Sequence, residues 1–221
     1  MTTIHTAPAT GDPTAAPISS ARGLLLVVAI VLGGIGNLAN ILFGYNGAEV
    51  TIAWLTDHQS AWAAATYGTA LNLLGILALL VAVCVLARRR GAGWATASLV
   101  AGSVGAALYA VSAAIPVAPA ALATQTAVRP AGAAALLDHI LAEDLTQPAV
   151  AFPGFLLLVV AQLTITVALI RSRSVPLWVP ILFLVGCVLA VVFAGSGMVS
   201  ALLAVPQLVA MVAIGWYARR H

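Results

Sequence analysis

Six long apolar runs hold no Asp, Glu, Lys, Arg or His, and this pattern decides what the chain can fold into. They cover about residues 24–43, 62–87, 93–115, 152–170, 177–194 and 198–218. Each is long enough to cross roughly 30 Å of hydrocarbon at about 1.5 Å per helical residue. In hydrocarbon a segment must satisfy its backbone polar groups internally, which makes each run a helix. The expected fold is all-α: one membrane helix bundle of six transmembrane helices over residues 22–218.

Composition excludes the soluble alternative. With 62% hydrophobic and 7% charged residues, the chain has too few polar side chains to cover a soluble core. Cys84 and Cys187 lie within the runs, far apart, and read as small apolar fillers rather than a disulfide. Every Lys/Arg position is Arg, and the chain is rich in Ala, which suggests a bacterial genome of high GC content.

The arginines set the orientation. Six crossings put Arg22, Arg88, Arg89, Arg90, Arg171, Arg173, Arg219 and Arg220 on one side and only Arg129 on the other. Cytoplasmic loops are enriched in basic residues, so both termini are expected in the cytoplasm. Glu49, Asp57, Asp138, Glu143 and Asp144 all fall on the outer side. Arginines spread over several connections form no basic patch, so the net charge of +3 does not point to nucleic acid.

Residues 1–21 are rich in Thr, Ala and Pro and read as a disordered cytoplasmic tail. The tail lacks the basic start of a signal peptide, so the first run reads as an uncleaved span. Gly195, Ser196 and Gly197 suggest a tight turn between the last two spans. In the long outer connection, Leu136, Leu137, Ile140 and Leu141 share a helical face opposite Asp138, His139 and Glu143. A short helix in the outer interface is expected there, although Asp144 falls on its apolar side.

Two groups of residues are candidate sites. Asn72, Gln162 and Gln207 lie near the middle of spans two, four and six, and Asn37 and Asn40 lie in the outer half of span one. A carboxamide in an apolar medium needs partners, so these five should face inward and some should touch. They could line a pocket for a small polar or amphipathic ligand, or simply bond helix to helix. Pro206 beside Gln207 adds to the first reading, because proline frees a carbonyl within the span. The second group, His58, His139 and Glu143, could hold a divalent metal at the outer face. No HExxH or paired-cysteine spacing accompanies it, and ordinary headgroup-level polar residues are the simpler reading.

Small residues recur at near-four spacing, as Gly33, Gly36 and Asn40 in span one and Ala101, Gly105 and Tyr109 in span three. They permit close helix packing, more readily within the chain than between copies. The absence of ionisable residues from the spans argues against a proton-coupled transporter or a voltage sensor. No cofactor motif is visible, and Ser103, Ser112 and Ser200 lack a partnered base.

The span count, the arginine-capped turns and the long connection before span four resemble a set of small bacterial six-helix membrane proteins classed as domains of unknown function. The resemblance covers about residues 22–218 and rests on architecture alone, so it transfers no site and no activity. The expected protein is non-enzymatic and resides in the bacterial inner membrane. It binds a lipid or small amphipathic molecule, or serves as an accessory subunit of another membrane protein. A facilitator of a neutral solute and a metal-dependent enzyme of the outer face are the alternatives.

Overall fold

The computed structural model describes residues 20–44, 52–88, 90–115, 117, 120–121, 132, 135, 147–193, 195 and 197–221. The described residues form helices and connections, with no strand among them. In chain order the helices are α1 (Ser20–Phe43), α2 (Ile52–Asp57), α3 (Gln59–Leu86), α4 (Ala92–Ala114), α5 (Phe152–Ser172), α6 (Trp178–Val192) and α7 (Met198–Arg219). A π-turn, Gln147–Ala151, leads into α5. Of the tail expected over residues 1–21, Ser20 and Ala21 begin α1 and the rest lies outside the described residues, as do the residues expected to form the interfacial helix, His139 and Glu143 among them.

Five helices (α1, α3, α4, α5 and α7) are long and apolar enough to cross a membrane, and they mark the chain as a multi-pass membrane protein by length and composition. The exception is α6, whose 15 residues reach only about 22 Å. The apolar run 177–194 is longer than its helix because Phe193 leaves helical geometry, at φ −109° and ψ 35°.

The six longer helices form a ring in sequence order. α1 packs on α3, α3 on α4, α4 on α5, α5 on α6, α6 on α7, and α7 closes back onto α1. Glycines set the closest contacts. A Cβ on Gly75 of α3 would stand 2.5 Å from Gly33 Cα of α1, and one on Gly68 would stand 2.6 Å from Gly36 O. Between α4 and α5, a Cβ on Gly105 would stand 2.9 Å from Gly154 O. The small residues of α1 and α4 are thus used for packing within the chain, where they let backbones approach.

The arginine-bearing connections meet at one end of the ring. Gly23 packs against Arg219, and Arg88, Arg90, Ser172, Ser174 and His221 border one recess. Trp94, Trp178 and Trp216 lie at this end, and Trp54 and Trp62 at the other, in the manner of the two aromatic belts of a membrane protein. On the outside of the ring, Leu25, Leu74, Ile181, Val199 and Leu202 are each more than half exposed, an apolar surface suited to lipid.

The interior is not uniform along its axis. The main hydrophobic core is built from Ile30, Leu80, Val83, Ala95, Ala168, Leu169, Val179, Ile214 and their neighbours, all in the half nearer the arginines. Ile30, Leu80, Val83, Leu169, Val179 and Ile214 are completely buried, so this half is solid. The other half encloses a cavity.

Candidate functional site: a carboxamide-lined cavity

The cavity has a volume of about 280 Å3 and takes residues from α1, α3, α4, α5, α6 and α7. Its floor is the top of the core: Leu79, Leu80, Ile165, Phe183 and Met211. Its far end is bordered by Phe193, Gly195 and Ser200, in and beside the α6–α7 connection. That connection is tied to α1, because the Gly197 N–H donates to Ile41 O at 2.9 Å. Gly197 sits at φ 93°, in the left-handed region where glycine is favoured.

Asn37, Asn72, Gln162 and Gln207 all line this cavity. Each sits on a different helix, and the last three stand near the midpoints of α3, α5 and α7. Sequence alone could place them at similar depth. It could not say that one cavity collects them. Tyr109 and Ser200 add two hydroxyl-bearing side chains that the sequence reading did not assign to a pocket. From sequence Tyr109 stood out only for helix packing and Ser200 only for lacking a partnered base, since such residues are common in spans as packing residues.

The carboxamides do not bond to one another. Gln207 Nε2 donates to Cys187 Sγ at 3.5 Å, a weak sulfur acceptor, and no hydrogen bond joins the four amides among the described residues. The four line one shared space. No fully buried side-chain polar atom lacks a partner among the described residues, because the four half-buried amides face the cavity rather than the packed core. An amide in an apolar surround needs a hydrogen-bonding partner. These four offer unused donors and acceptors to the cavity, while Phe155, Leu158, Phe183 and Leu203 supply apolar wall.

Asn40 departs from the group. It borders a separate recess between α1, α3 and α4, beside Trp62, Thr66 and Thr69. Residues three apart on a helix differ by about 60° in direction, enough to turn Asn40 away from the face that carries Asn37.

His58 is exposed at the N-terminal end of α3. Its Nδ1 lies 3.0 Å from Trp54 O, and its ring stacks on Trp54 with centroids 4.8 Å apart. No group of three or more His, Cys, Asp or Glu side chains fit to hold a metal occurs among the described residues.

A family model described as a domain of unknown function, DUF4386, matches residues 21–218. The chain belongs to the DUF4386 family. The match agrees with the resemblance read from the sequence over about residues 22–218, and it takes in the six ring helices up to Ala218 and every residue of the cavity. No curated protein and no solved structure matches the chain. In this DUF4386 protein the cavity thus falls inside the family-defining region, but the family description assigns it no chemistry.

Proposed function

We propose that this protein is a six-span, non-catalytic binding protein of the bacterial inner membrane, with both termini in the cytoplasm, that holds a small amphipathic molecule or lipid fragment in the carboxamide cavity. The observation that carries the reading is the division of the interior. Four amides, three of them near mid-depth, face a shared space, and below them lies a buried apolar core. A site closed at its floor suits binding better than passage.

The size limits the ligand. At about 280 Å3 the cavity is near the lower end of ordinary small-molecule pockets, roughly 300–1,000 Å3, and too small for a whole phospholipid. The four amides offer both donors and acceptors and carry no charge, so they favour a neutral polar head such as a hydroxyl, amide or carbonyl group. The short α6 supports the same picture. Its end at Val192 leaves the cavity mouth below the level that a full span would reach. The six-crossing count supports it too, since the arginine-bearing connections gather at one end.

The experiment is extraction of the purified protein, followed by mass spectrometry of released small molecules. Wild type should release one at near-stoichiometric amount, and Gln162→Leu/Gln207→Leu should release at least tenfold less while eluting as the same folded species. Equal release from both would end the binding reading.

A further inference from the structure

A second site lies at the opposite end of the molecule from the cavity mouth. The α3–α4 and α5–α6 connections border a recess of about 330 Å3, with Arg88, Arg90, Ser172, Ser174 and His221 on its walls and Val85 and Leu86 on its apolar side. Arg88 and Arg90 are exposed and make no ion pair among the described residues. No acid borders the recess among the described residues. Asp57, the one acid among the described residues, closes α2 and adjoins the N-terminal end of α3, at the other end of the ring. Ser172 Oγ donates to Leu169 O at 3.1 Å and lies 2.8 Å from Ser174 Oγ, which then donates to Ser172; an incoming acceptor would draw the Ser174 proton from that bond.

We propose that this recess binds the phosphate of an anionic phospholipid headgroup. Arginines at this end are expected of any cytoplasmic face, but two features go beyond that rule. Two connections some 80 residues apart in sequence converge so that two unpaired guanidiniums and two hydroxyls border one concave surface. The recess also lies at headgroup level. Gly186 packs on Gln207, and counting eight residues back along α6 and nine forward along the antiparallel α7 reaches Trp178 and Trp216, level to within about one residue's rise, an interfacial pair. Trp178 stands four residues after Ser174. Guanidinium forks match phosphate oxygens in geometry and charge, and Val85 and Leu86 give the first acyl methylenes an apolar wall.

The test is native mass spectrometry of the full chain, delipidated in detergent and given equal phosphatidylglycerol and phosphatidylcholine. Wild type should retain phosphatidylglycerol selectively. Arg88→Gln/Arg90→Gln should weaken that retention by about fivefold for each arginine removed. Arg171→Gln/Arg220→Gln, which removes the same charge at the same end outside the recess, should weaken it less than twofold. Ser172→Ala/Ser174→Ala reports on the same recess without touching charge and should weaken retention about threefold. Equal effects of the two arginine pairs would overturn the proposal in favour of a general surface field. So would equal retention of both lipids, or displacement of the lipid by millimolar inorganic phosphate, which would make free phosphate the ligand.

Discussion

Gly186 of α6 lies against the backbone of Gln207 in α7, so close that a Cβ on the glycine would stand 2.5 Å from Gln207 N. This contact sets the height of Gln207 and leaves its amide between Cys187 and the cavity. Gly186→Val should therefore push α6 off α7 and lower stability by about 1–3 kcal/mol, the usual range for overpacking. The thermal midpoint in detergent measures it. Gly93→Ala is the contrast, since a Cβ there meets nothing within 4 Å, and its midpoint should stay level or rise slightly. Equal midpoints for the two variants would contradict the packing.

The α6–α7 connection depends on Gly197. Its φ of 93° is strained for any side chain, and its N–H holds the connection to Ile41 O. Gly197→Ala should cost about 1–3 kcal/mol. Hydrogen exchange should speed up at residues around the connection while α3 stays protected. Unchanged exchange there would remove the connection's role as a tied rim of the cavity.

Much of this architecture was legible in the sequence, for a plain reason. A polar or charged side chain in hydrocarbon is expensive, so those that occur are placed by physics and stand out. That is why Asn37, Asn72, Gln162 and Gln207 could be named together before the ring that joins them was known. Asn40 shares the outer half of span one with Asn37 but borders a different recess, because a 60° offset suffices to reach another helix pair. The run 177–194 overstated α6, because apolar residues continue past the point where Phe193 breaks helical geometry. Arg88 and Arg90 were read only as topology signals. Their meeting with Ser172 and Ser174 depends on which helices neighbour each other, and apolar runs of similar composition do not reveal that.

Accessibility separates the two halves of the interior. In a background with Cys84→Ala and Cys187→Ala, cysteines at Asn37, Asn72 and Gln162 should react with a small water-soluble methanethiosulfonate. Cysteines at Ala82 and Ala168, both completely buried in the core, should not. Comparable labelling at all five positions would mean a path through the bundle and would favour the facilitator reading.

Orientation can be read in the same background. A membrane-impermeant maleimide applied to intact cells should label Asp57→Cys and spare Arg90→Cys until the cells are permeabilised. Both residues are exposed, so lack of access comes only from the membrane. The reverse result would place the arginine-bearing end outside.

The central claim is that four amides on four helices converge on an occupied cavity. A density map of the protein in nanodiscs made from its native membrane tests this most directly. The account predicts non-protein density within hydrogen-bonding distance of Asn72, Gln162 and Gln207, above a closed floor at Leu80 and Phe183. Amides bonded to one another across a collapsed cavity, with no density between them, would contradict it.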